Sequence, residues 1–218
     1  MPDYPKASPM RYDEGSPEAH ALNLVGDRWP LLVVRELIFA PKRFQRIRAG
    51  LPGISANVLS RRLAQLGAAG VIVHDEKQRF YALTEIGREL LPVIHELCRW
   101  AVAVPGHDLF RFISPTALMI SMNAVLVPER ARGREAIAGF DFGSEAFEVR
   151  LTGGKLQVIA VNCPETPFVL SGNGNGLAEG ILGAVPLPEL MAKGMVSVSG
   201  DVAAASEFLS LFNMRQAS

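Results

Sequence analysis

The apolar residues of this chain change their period partway along, and that change restricts the fold more than any other feature. Up to Val127 they recur mostly every three or four positions, the spacing of buried helix faces, interrupted by one short hairpin pattern. After Glu135 they alternate, as in Phe147, Val149 and Leu151 or Leu156, Val158 and Ala160, the spacing of strands with one buried face. A chain of 218 residues with both habits in separate halves reads as two units in the α+β class.

The first unit has clear punctuation. Ser16-Pro17-Glu18 starts a helix: a capping hydroxyl, a proline at the first helical position and an acid favoured by the dipole. Asp27 is expected to cap a second helix carrying Trp29, Leu32, Val33 and Leu37. A third carries Phe44, Ile47 and Leu51 inward with Arg43, Arg46 and Arg48 between them. Pro52-Gly53 forms a sharp turn, and Ser55 caps a fourth helix with Val58, Leu59, Leu63 and Leu66 apolar. Two short helices joined by a tight glycine turn are the helix-turn-helix arrangement. Val71–Val73 and Phe80–Leu83 follow as a hairpin with Lys77 and Arg79 near its tip. Thr84 starts a long helix to Val104, in which Pro92 is expected to make a kink or loosen one turn.

Charge adds a chemical direction. Lys plus Arg (22) cancels Asp plus Glu (22) overall, yet residues 1–115 hold 15 bases and 12 acids. Between Arg35 and Arg62 stand seven bases (Arg35, Lys42, Arg43, Arg46, Arg48, Arg61, Arg62) and one acid, Glu36. Such clustering suits a polyanion. On the fourth helix Asn57, Ser60, Arg61 and Ala64 share the face opposite the leucines, where Asn and Arg can read adenine and guanine edges in a major groove. Arg43, Arg46, Arg48 and Arg62 suit phosphates, and Lys77 and Arg79 on the wing are placed to reach the neighbouring backbone or minor groove. The expected DNA-contacting set is Arg43, Arg46, Ser55, Asn57, Ser60, Arg61, Arg62, Lys77 and Arg79.

These residues resemble the HxlR-type winged-helix regulators. The resemblance rests on Ala21-Leu-Asn-Leu-Val-Gly-Asp-Arg-Trp-Pro-Leu-Leu-Val-Val-Arg-Glu-Leu37, Lys42-Arg43-Phe44, Leu51-Pro-Gly-Ile-Ser55, Leu59-Ser-Arg-Arg-Leu63 and Tyr81-Ala-Leu-Thr-Glu-Ile-Gly87 leading to Trp100. It implies a bacterial transcription regulator on double-stranded DNA, a homodimer paired through the terminal helices of this domain. Where many members carry a redox cysteine before the first helix, this chain reads Ser16-Pro-Glu-Ala-His20.

The second half is mildly acidic, with 7 bases and 10 acids in residues 116–218. Phe147-Glu-Val-Arg-Leu-Thr-Gly-Gly-Lys-Leu156, Gly180-Ile-Leu-Gly183 and Gly194-Met-Val-Ser-Val-Ser-Gly-Asp201 resemble a type-2 sterol-carrier-protein domain. That resemblance implies a sheet-and-helix shell around an apolar tunnel for a hydrophobic small molecule. The candidate ligand-lining residues are Phe140, Phe147, Leu156, Phe168, Leu182, Met191, Met195 and Phe208. The expected organisation is a disordered arm 1–15, a winged helix-turn-helix and dimerisation domain 16–104, a linker 105–116 and a sterol-carrier-like domain 117–213.

Other signals lead elsewhere. Gly172-Asn-Gly-Asn-Gly176 breaks the GxGxxG spacing and reads as a flexible loop. His95-Glu96 lacks the second histidine of HExxH, since position 99 is arginine, and Cys98 and Cys163 have no metal-ligand spacing. No pairing of acid, base and nucleophile points to an enzyme, and no cofactor or metal is expected. The longest uncharged run, Phe112–Pro128, is 17 residues and interrupted by Pro115 and Asn123, so no membrane span and a cytoplasmic location are expected. The rival reading is a lipid-binding or carrier protein that uses the winged helix only to dimerise; the basic surplus argues against it.

Overall fold

The computed structural model describes residues 12–214. Most of the expected arm 1–15 lies outside them, although the Tyr12 backbone is tied to Asn23 by two hydrogen bonds of 2.7 and 3.0 Å. The described chain forms two compact units, residues 12–37 with 41–89 and residues 38–40 with 90–214. The fold is α+β, a winged helix-turn-helix followed by a mixed-sheet domain.

The first unit opens with α1 (Pro17–Val25), capped by Ser16, which accepts from the Ala19 amide at 3.2 Å. In α2 (Pro30–Glu36) the expected Asp27 cap is not made. Trp29 occupies the cap position with φ +92°, its ring covered by the Arg28 guanidinium at 4.8 Å, and Pro30 needs no N–H partner in the first turn. Arg43 is not a helical residue as read: it ends a two-residue strand β1 (Lys42–Arg43), and α3 is shorter (Phe44–Ala49), leaving Leu51 in the turn. Then come α4 (Ala56–Ala68), β2 (Ile72–Asp75), β3 (Phe80–Leu83) and α5 (Glu85–Arg88). The strands make an antiparallel sheet in the order β1-β3-β2, with Lys42 opposite Tyr81 and Val73 opposite Ala82. Val33, Val34, Leu37, Ile47, Leu59, Leu63 and Leu66 are buried.

The expected long helix is divided in two. Thr84 caps α5 through the Gly87 amide, the chain turns at Glu89, and α6 (Leu90–Ala103) begins afresh. The turn at Glu89 is the loosening expected near Pro92, which itself sits in the first turn of α6, where its missing N–H breaks no ladder. By its packing α6 groups with α7 (Pro115–Val125) in the second compact unit.

The rest of that unit comprises α8 (Pro128–Ala131), β4 (Ala136–Asp141), β5 (Ala146–Thr152), β6 (Lys155–Val161), β7 (Phe168–Gly172), α9 (Gly174–Ile181), α10 (Leu187–Ala192), β8 (Val196–Gly200) and α11 (Val202–Leu209). Its five-stranded sheet runs β6-β5-β4-β7-β8, antiparallel except for the parallel pair β4–β7. Cross-strand partners share a face. Ala138 with Val149 and Phe140 with Phe147 line the inner face, over which Leu118, Met122, Ile181, Phe208 and Phe212 complete the core. The expected flexible loop at Gly172–Gly176 instead starts α9. Asn173 caps it, accepting from the Gly176 amide at 2.8 Å, while a Cβ at Gly174 or Gly176 would meet the Ile113 or Met195 carbonyl. Among the described residues no helix is long and apolar enough to cross a membrane.

Candidate nucleic-acid interface

The turn between α3 and α4 is built by Leu51 and Ile54, 1% and 5% exposed, and by Gly53 at φ +85°, a conformation that a side chain would strain. Ser55 accepts from the Val58 amide at 3.3 Å, so its hydroxyl is engaged as the α4 cap. With Leu59, Leu63 and Leu66 inward, α4 leaves Asn57, Ser60, Arg61, Ala64 and Gln65 exposed on one surface.

The wing turn is locally determined. The Asp75 carboxylate accepts from the Lys77 and Gln78 amides at 2.9 and 3.0 Å, and Arg79 takes φ +57°. That turn brings Lys77 and Arg79 to the cleft lined by Arg43, Phe44, Gln45, Gln78 and Phe80, with a volume of about 510 Å³. The Arg43 guanidinium lies 5.0 Å from the Phe80 ring, directly opposite in the β1–β3 register. Three cations from two segments far apart in sequence thus line one cleft, and no acid lines it. Arg46 and Arg48 are exposed on α3. Gln45 and Gln78 lie outside the expected set, which followed charge beyond the α4 face; each carries a hydrogen-bonding amide suited to phosphate or sugar oxygens.

Three of the seven clustered cations face inward. Glu36 is 1% exposed and receives Arg35 at 2.8 Å and Lys42 at 3.2 Å. Arg62, expected on phosphate, is 8% exposed, ion-paired with Asp27 and hydrogen-bonded to Gln65 Oε1 at 2.8 Å. Its direction follows from position. Arg62 directly precedes Leu63 and is three residues after Leu59, which turns it toward the α1–α2 loop. The exposed cations among those expected to meet DNA are therefore Arg43, Arg46, Arg48, Arg61, Lys77 and Arg79.

In the second unit the candidate ligand residues are divided between the packed core and cavity walls. Phe140 and Phe147 are filled-core residues, Phe140 packing at 6.2 Å from Phe208. Phe168 and Phe208 line a cavity of about 590 Å³, with Leu151, Leu211 and the 2.6 Å Arg134–Glu207 ion pair. Leu182 lines a separate cleft, and Met191 is exposed on α10. Between the sheet and α11, Phe140, Phe168 and Phe212 each pack against the Phe208 ring, at 6.2, 6.0 and 5.3 Å.

The HxlR-like helix-turn-helix family model matches residues 24–107. A helix-turn-helix-type transcriptional regulator of Bacillus subtilis, YvaP, is 36% identical over 86 residues, 37% of this chain and 80% of that protein. One from Mycobacterium tuberculosis is 39% identical over 92 residues, 40% of this chain and 58% of that protein, so the chain spans little more than half of it. Among solved structures, the reduced form of the transcriptional regulator YodB from B. subtilis is 32% identical, covering 43% of this chain and all of that one with a TM-score of 0.38. A possible HxlR family transcriptional factor from Thermoplasma volcanium is 30% identical, covering 42% and 94%, with a TM-score of 0.35. The family match ends before the five-stranded sheet.

Proposed function

The chain belongs to the HxlR-like helix-turn-helix family of transcriptional regulators, a non-enzymatic family, and on that premise we propose that it acts as a homodimer on duplex operators. The α4 surface of Asn57, Ser60 and Arg61 reads base edges in the major groove. Arg43, Arg46, Lys77 and Arg79 hold phosphates, and Ser55 positions the reading helix by capping it. The observation that carries this reading is the cation-lined cleft of Arg43, Lys77 and Arg79, which persists after Glu36 has taken up Arg35 and Lys42 and Asp27 has taken up Arg62.

Two copies are required because one short helix reads few bases, and a two-fold pair reads half-sites about 34 Å apart. A stripe on α6 supports pairing: Val93, Leu97 and Trp100 are 45%, 44% and 68% exposed, and Val104 just beyond the helix continues it. The spacing of four and three residues makes one continuous apolar seam. The second unit we read as a sterol-carrier-like domain. Its cavity beside Phe168 and Phe208 would hold an apolar small molecule whose preference for one dimer arrangement changes operator affinity.

Gel-shift titration of the intact protein on its own promoter region, across salt concentrations, tests the proposal. Affinity should fall steeply with salt, and Arg43→Ala with Lys77→Ala should each lower the log–log slope by about 1. Binding insensitive to salt, or a slope unchanged in both variants, would refute it.

A further inference from the structure

Trp100 and Val104 serve two surfaces at once. Both belong to the exposed α6 seam, and both line a cleft between α6 and α7 within the second unit. The cleft has a volume of about 340 Å³ and is separate from the cavity beside Phe168 and Phe208. Ala101 and Val104 stand on one side, Ala124 and Val125 of α7 on the other, with Leu182 following α9.

Its chemistry narrows the occupant. No Asp, Glu, Lys or Arg lines it, so a charged ligand would lose its hydration without a counterion. The Ser121 hydroxyl is turned to its own helix, donating to the Ala117 carbonyl at 2.9 Å. His107, with Nδ1 3.4 Å from the Met214 sulfur, supplies a single imidazole handle. The volume lies at the low end of small-molecule sites, about 300–1,000 Å³, which suits one or two rings better than a long-chain lipid. The Trp100 indole offers a flat apolar face on which a ring can stack.

We propose that this α6–α7 cleft binds a neutral aromatic small molecule, and that its occupation weakens pairing of α6 between two copies. Binding stands on the cleft alone; the linkage rests on the dimer proposed above. A bound ring draws the Trp100 indole and the Val104 side chain toward the cleft, removing their apolar area from the seam. The coupling is reciprocal, so the paired form must bind the ring less tightly than the single copy.

The test uses the full chain and N-phenyl-1-naphthylamine, an uncharged aromatic fluorophore. In a Trp29→Phe background Trp100 is the one remaining tryptophan, and saturable energy transfer from it to the probe is expected. Ala101→Phe should weaken binding by about tenfold or more, and Ser121→Leu on the opposite wall should do the same if the first variant fails to fold. Ala204→Phe, in the other cavity, should leave affinity unchanged, and charged 1-naphthoate should bind at least about tenfold more weakly. Absence of saturable binding, or loss through Ala204→Phe and not through the cleft variants, overturns the site. Sedimentation with and without saturating probe tests the linkage: a dimer Kd raised about fivefold or more is expected, and an unchanged or lowered one overturns it. A chain that stays monomeric at every concentration would sink the dimer reading and the linkage, while the probe titration still judges the site.

Discussion

The Arg62 guanidinium of α4 is ion-paired with the Asp27 carboxylate of the α1–α2 loop, while its neighbour Arg61 stands in solvent. Two adjacent arginines on one helix therefore separate a fold-holding role from a candidate reading role. Arg62→Ala should lower the unfolding free energy by about 1–3 kcal/mol, less than a fully buried pair would, since Asp27 is half-exposed. Arg61→Ala should change stability by no more than about 0.5 kcal/mol but weaken operator binding by about 1–3 kcal/mol, concentrated at one base position. Urea denaturation and binding to single-base operator variants, measured on both proteins, would reveal whether the roles are reversed.

Glu36 gathers Arg35 and Lys42 beneath the winged helix and is itself almost inaccessible. Glu36→Gln deprives the buried Lys42 of this counter-charge and should cost about 3–5 kcal/mol of stability by chemical denaturation. Replacing Glu36 and Lys42 together by methionine should recover much of that loss, because no unneutralised charge then remains of this pair. A double replacement as damaging as the single one would contradict the electrostatic account.

The α6 seam makes a different kind of prediction. Leu97→Glu places a charge in the middle of an apolar stripe without touching the buried Ile94 face. The variant should keep its helical content by circular dichroism and sediment as a monomer, with operator affinity reduced about a hundredfold or more as two-site contact is lost. An unchanged dimer would move the pairing surface away from α6.

His95 lies half-buried on α6, where burial and the Arg99 guanidinium hold its imidazole below the ordinary value. A lowered folded value means that the unfolded chain takes up the proton first. Its stability contribution is complete above about pH 6.5 and declines as pH falls through that value toward the lower folded one. Comparison with His95→Gln by thermal melts between pH 5 and 8 isolates this term. The wild-type curve should drop more steeply below pH 6.5, and parallel curves would argue against it.

Local chemistry was readable where the responsible partners lie within a few residues. Ser16 and Ser55 each cap the helix expected of them, because a cap joins a side chain to an amide three residues on. The β5–β6 hairpin was equally plain, since Leu151 faces Leu156 across the turn and both alternate with polar neighbours. By contrast β4 escaped the reading although it lies at the centre of the sheet. Ala136, Ala138 and Gly139 give little contrast between its two faces, and its partners β5 and β7 are set by the whole domain.

Composition and spacing by themselves determined the two-unit α+β plan, the helix-turn-helix and the polar face of α4, since periodicity and capping act over one or two turns. Which cations meet a counter-charge was decided by tertiary structure. Arg62 and Arg61 are indistinguishable as letters, and only packing of α4 against the α1–α2 loop brings Asp27 to one of them. The same holds for the phenylalanines of the second unit: a sequence can supply aromatic area, but whether that area fills itself or leaves a cavity depends on how closely the elements pack.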